Sequence, residues 1–155
     1  MYEYLAGKFA TFPDGVKRTS IIGTVDINNA EYLTWDGTKC SAEDWPQRVV
    51  SSASLPSLFY PALIEGHVCT DGGTAMGLDS TSAVKACIDK GFDESQVTLD
   101  VILLDRFTPA KEESASKDTV ENIMRMHTAK SYWHGLENVI QTQISHPKAN
   151  YRYVV

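Results

Sequence analysis

Basic charge is what this sequence is short of. Fourteen Lys and Arg stand against twenty Asp and Glu, a formal net charge of −6, and no basic cluster interrupts the acidic balance. A nucleic-acid-binding face neutralises phosphates with Lys and Arg and releases their counterions, so no nucleic-acid partner is expected. Cysteine is scarce too. Cys40, Cys69 and Cys87 are odd in number, widely spaced and without a Cys-x-x-Cys pair; neither a disulfide framework nor a zinc site is expected. Small buried thiols in an intracellular, reducing compartment fit that usage. No window reaches the roughly 18 uninterrupted apolar residues that a membrane-spanning helix needs. Residues 1–15 show neither a basic n-region nor an apolar h-region, and no signal peptide is expected. Internal repeats and low-complexity tracts are missing as well.

What is present is the composition of a globular protein. Hydrophobic residues make up 43% and charged residues 22% of 155 residues, enough for one domain at most, or part of one. The β-branched run from Thr19 to Val25 predicts a strand buried on both faces, and Asn28-Asn29 turn it into a second strand over Glu31 to Thr34. Ser41, Glu43, Asp44 and Pro46 form a helix start, and the helix is expected to end near Ser54, before Pro56. Pro61 to Ile64 and His67 to Thr70 read as short strands around a Glu65-Gly66 turn. Asp79 or Ser80 caps a helix that stops at Gly91. Val97 to Leu104 has the apolar run of a central strand in a mainly parallel sheet. Thr108 to Lys117 reads as a surface loop. Asp118 to Ser145 reads as a long helix with a break expected at Gly135, and Tyr151 to Val155 as a closing strand. Strands alternating with helices in the second half favour an α/β layer architecture.

The most informative block runs from Arg48 to Cys87. Asp71 closes a strand and is followed by Gly72 and Gly73. Glycines let another chain segment approach closely, so a carboxylate on such a turn can be held against a reacting group. An unperturbed Asp, with a reference pKa of about 3.9, is a weak general base at neutral pH. It needs partial burial or a directly hydrogen-bonded nucleophile. Asp-Gly is also among the commonest turn signals, and a plain turn competes with catalysis as the reading of this motif alone.

The same block resembles the C-terminal half of patatin-like lipid acyl hydrolases. The matching pieces are Ser51-Ser52-Ala53-Ser54 at a helix end, Pro56 through Phe59, the Glu65-Gly66 turn and Asp71-Gly72-Gly73. The strand near Ile21 to Asp26, the helix after Ser80, the strand Val97 to Leu104 and the segment Asn150 to Val155 fit as flanks. The resemblance implies an α/β fold with a patatin-like three-layer α/β/α arrangement, seen as the C-terminal portion of the domain. It implies serine-type hydrolysis of lipid acyl esters by a Ser–Asp dyad, as in a phospholipase A. Asp71 would be the catalytic base on a turn supported by Gly72 and Gly73, and no metal or organic cofactor is implied. In that family a Gly-x-Ser-x-Gly elbow and a glycine-rich oxyanion loop complete the dyad. Neither occurs in these 155 residues: Gly73 and Gly77 enclose Thr74-Ala75-Met76, with alanine where a nucleophile would stand. The implied partners are a lipid or acyl-ester substrate and the missing N-terminal half, or a partner chain supplying it. The alternative is a non-catalytic patatin-like remnant acting as a scaffold or interaction subunit of a larger assembly. An unrelated α/β binding domain that shares the block by chance is the third reading.

Other polar and aromatic residues are weaker candidates for chemistry. Ser51, Ser52 and Ser54 lie at a predicted helix C-terminus, where the dipole disfavours a developing anion; close packing against the Asp-Gly-Gly hairpin is the expectation. His67, His127, His134 and His146 read as structural or solvent-facing, because no carboxylate or cysteine completes a metal set. Leu55, Leu58, Phe59, Tyr60 and Leu63 are either the wall of an acyl-chain pocket or hydrophobic core beneath the hairpin, with core favoured. Tyr132-Trp133 is a candidate for transient membrane-surface contact. No basic amphipathic face accompanies it, so core or partner contact is favoured there.

Overall fold

The computed structural model describes residues 2–11, 18–103 and 118–155. It is a mixed α/β fold with several helices and two small sheets. The chain divides into two compact units, Met1–Met76 and Gly77–Val155. The surface loop expected over Thr108 to Lys117 lies outside the described residues.

The first unit opens with α1 (Tyr2–Phe9), which buries none of its residues. No element was expected there. Glu3 in its first turn and Lys8 in its last suit the helix dipole. The expected hairpin follows as β1 (Ile21–Asp26) and β2 (Glu31–Asp36), antiparallel, with Asp26 opposite Glu31. Burial on both faces holds only for Thr24, Val25 and Asp26, and the first half of β1 is half-buried. The helix α2 (Trp45–Ser52) carries Pro46 in its first turn, where a missing N–H costs nothing. Ser41 acts one turn earlier than a regular cap: its Oγ accepts the Asp44 N–H at 3.0 Å.

The strands β3 (Ala62–Ile64) and β4 (His67–Asp71) form the second hairpin, with Ile64 opposite His67. Both linking residues are left-handed, Glu65 at φ 52° and Gly66 at φ 88°. That two-residue geometry matches the natural twist of paired strands. The sheet order is β2-β1-β4-β3, antiparallel throughout. Among the described residues the buried apolar set of this unit is small: Val25, Trp45, Pro46, Ile64 and Cys69. Thr24, Asp26, Arg48, Ser51, Ser54 and Thr70 are buried beside them.

The second unit holds the larger apolar core. Its α3 (Ser80–Ile88) is capped by Asp79, whose carboxylate accepts the Ser82 N–H at 3.0 Å. Strand β5 (Thr98–Val101) pairs in parallel with β6 (Asn150–Val154), and α4 (Thr119–Ser145) lies between them in sequence. Val84, Val97, Leu99, Val101, Val139 and Ala149 form the core. Among the described residues β5 has one strand partner rather than the two expected of a central strand. Its burial alternates: Leu99 and Val101 face the core, while Thr98 and Asp100 face out. The helix α4 runs unbroken through Gly135, where a Cβ would make only ordinary van der Waals contact with Leu103 Cδ2, at 3.7 Å. Beside that core α3 and α4 also share a polar contact. Ser80 Oγ and Thr81 Oγ1 meet Thr142 Oγ1 at 2.8 and 3.0 Å, and Thr142 in turn donates to the Asn138 carbonyl.

Candidate functional site

Asp71 stands at the C-terminal tip of β4, opposite Thr24 of β1. Two bonds anchor that tip to the end of α2: Asp71 N–H and Thr70 Oγ1 both donate to the Ser54 carbonyl, at 3.0 and 2.6 Å. The small-residue tract after α2 therefore does pack against the Asp-Gly-Gly hairpin. Two of its three hydroxyls are tied to the helix backbone. Ser51 Oγ donates to the Arg48 carbonyl at 2.7 Å and Ser54 Oγ to the Val50 carbonyl at 2.8 Å. Neither hydroxyl addresses Asp71.

The two glycines have different reasons to be glycine. Residues Gly72–Thr74 form a single 3₁₀ turn, and neither glycine has a positive φ. Gly72 is buried, and a Cβ there would stand 2.4 Å from the Gly23 carbonyl oxygen of β1. This is the close backbone approach expected from the sequence. Gly73 is open, and its N–H donates to Asp71 Oδ1 at 2.7 Å. The half-buried Asp71 carboxylate thus caps the turn that follows it. No serine, threonine, cysteine or histidine side chain among the described residues hydrogen-bonds to it.

The carboxylate with the richest surroundings is Asp26, two residue pairs along the β1–β4 ladder from Asp71. It is buried, and it accepts from the Asn28 N–H at 3.0 Å, from Asn29 Nδ2 at 2.7 Å and from the His67 ring Nδ1 at 2.9 Å. The His67 hydrogen bond is the main reason its carboxyl is held below the ordinary carboxylate range, with desolvation opposing. His67 is thus structural, as expected, and its partner is a side chain 41 residues away. Asp-x-Asn-Asn marks Asp26 as a turn residue in the sequence; nothing local points to His67.

A buried arginine completes this unit. Arg48 of α2 lies 4.9 Å over the Trp35 ring and pairs with Glu65, the left-handed residue of the β3–β4 turn. Trp35 Nε1 donates to Thr24 Oγ1 at 2.9 Å. Burial raises the thiol pKa of Cys40 and of Cys69, and all three cysteines are unpaired.

The apolar cluster of the sequence is neither core nor a closed pocket wall. Leu55, Leu58, Phe59, Tyr60 and Leu63 are 48%, 72%, 53%, 95% and 67% exposed. The physical reason is local. Pro56 and Pro61 bracket a turn in which Ser57 takes φ 76°, and β3 is a three-residue edge strand. The side chains project from an edge instead of into the small interior. Trp133 is likewise 63% exposed. The remaining histidines, His127 and His134 on α4 and His146 at its C-cap, gather no metal set. Among the described residues no group of three or more His, Cys, Asp or Glu is placed to hold a metal ion, and no helix is long and apolar enough to cross a membrane.

No family model matches the chain, and no curated protein matches it. The likeness to patatin-like hydrolases therefore rests on the residues of the Arg48 to Cys87 block themselves.

Proposed function

We propose that this chain is the C-terminal portion of a patatin-like three-layer α/β/α domain that acts as a non-catalytic scaffold or interaction subunit of a larger assembly. The observation that carries the reading is the engagement of Asp71. Its carboxylate caps the Gly72–Thr74 turn through the Gly73 N–H, and no hydroxyl among the described residues is bonded to it. A Ser–Asp dyad needs a nucleophile within hydrogen-bond reach of the base. Exposed apolar side chains beside a sheet edge support an interaction role.

Ester turnover separates this reading from the hydrolase one. The chain, and the chain mixed with any polypeptide that copurifies with it, is assayed on p-nitrophenyl butyrate and on phosphatidylcholine vesicles. No turnover above buffer is expected, with or without Asp71→Asn. Hydrolysis that Asp71→Asn abolishes while the melting transition stays in place overturns the proposal and installs Asp71 as the base of a dyad completed from outside residues 1–155.

A further inference from the structure

Most of helix α4 lies outside the buried core of its unit. Only Asn138, Val139 and Thr142 of its 27 residues are buried, and every residue from 119 to 131 is exposed. Yet this helix carries an apolar stripe away from its buried face: Met126, Ala129, Trp133, Leu136, Ile140 and Ile144, spaced by three or four residues. That stripe spans about 27 Å and lies roughly 150° around the axis from the buried face. Met126, Trp133, Ile140 and Ile144 are 58%, 63%, 48% and 75% exposed. A seam of this spacing, with charges beside it, is the pattern by which two helices pack side by side.

The charges beside the seam point to the occupant. Lys130 and Glu137 flank the same edge of the stripe, and neither has an ion-pair partner among the described residues. They are seven residues apart, beyond the three- or four-residue spacing at which side chains of one helix meet. In an antiparallel pair of identical helices the seam layers interlock. Trp133 sits beside Leu136 of the second copy, and Ala129 beside Ile140 of the second copy. That same register brings Lys130 within two positions of Glu137 of the second copy, and the two-fold axis repeats the pair. An isologous interface needs a self-complementary patch of this kind.

We infer that α4 is a homodimerisation helix, packing antiparallel on α4 of a second copy with Trp133 near the two-fold axis and reciprocal Lys130–Glu137 ion pairs at its rim. The inference rests on the interaction reading above and names the partner as a second copy of this chain. Its test reads mass, not ester turnover, so the two can fail separately. The dissociation constant is measured by sedimentation for the chain and four variants, with circular dichroism confirming that each keeps its helix content. Trp133→Glu places a charge in the seam and is expected to yield monomer. Lys130→Glu and Glu137→Lys, taken singly, each turn two attractive pairs into two repulsive ones and weaken association roughly tenfold. Combined, they restore opposite charges across the axis and return affinity to the starting value. A chain that is monomeric before any substitution overturns the inference. So does a dimer that survives Trp133→Glu, or one whose affinity ignores the charge reversals.

Discussion

At Gly72 there is no room for a methyl group. The atom it would strike, the Gly23 carbonyl oxygen at 2.4 Å, is backbone and cannot swing aside. Gly72→Ala is expected to lower stability by about 2 kcal/mol, the ordinary cost of overpacking a tight interior, read as a shift in denaturant midpoint. Gly73→Ala meets only the Asp71 carboxylate, at 3.1 Å, and that side chain can rotate; its cost is expected below about 1 kcal/mol. Equal losses at the two positions would falsify the close-approach account. Asp26 gives a pH dependence of known sign. Its pKa in the folded chain is lowered, first by the His67 hydrogen bond. A lowered folded pKa adds stability that is fully present above the unfolded value and is lost as pH falls through the folded one. Acid unfolding should therefore include a component that sets in at about pH 4 and grows below it. His67→Phe removes the bond and should flatten that component in a pH series of chemical melts. An unchanged slope would show that the pair contributes nothing to acid sensitivity.

Elements were legible wherever their ends are written in local chemistry. Pro46 and the acids around it located α2, Glu65-Gly66 located the β3–β4 turn, and Asp79 with Gly91 bracketed α3, because caps and turns act over a few residues. Asp79→Ala is expected to cost about 1 kcal/mol through the lost cap to Ser82, and Val84→Ala about 2 kcal/mol through the void it opens beside β5. Thermal melts of the two variants check both figures; a Val84→Ala chain as stable as the parent would mean that the α3 face does not pack as described. What the sequence could not supply was the identity of distant neighbours. Asp26 and His67 meet across 41 residues, and no local pattern encodes that meeting. The segment from Leu55 to Leu63 misled for a related reason. Side-chain hydrophobicity measures a preference for burial, and whether anything lies above the side chain depends on the rest of the fold. The position of Asp71 at a strand tip was readable; the absence of a bonded hydroxyl among the described residues was visible only in three dimensions.

Across the whole molecule, the two units differ in how they hold themselves together. The first relies on hairpins and on paired polar groups around a small buried apolar set that among the described residues comprises Val25, Trp45, Pro46, Ile64 and Cys69. It leaves Leu58 and Tyr60 largely in solvent. Replacing both with serine is expected to change stability by less than about 0.5 kcal/mol while reducing binding of an apolar-surface dye. A large loss of stability would return these side chains to the core. The second unit is built on non-local contacts. Its parallel strands cannot be joined by a tight turn, and the pairing of Asp100 with Arg152 spans 52 residues. Closing a loop of that length costs about 3–4 kcal/mol in chain entropy before any contact repays it. During synthesis the hairpins of residues 21–71 can therefore fold as they emerge. The β5–β6 ladder must wait until residue 154 has been made, and until then Leu99 and Val101 lack the β6 residues that pair with their strand.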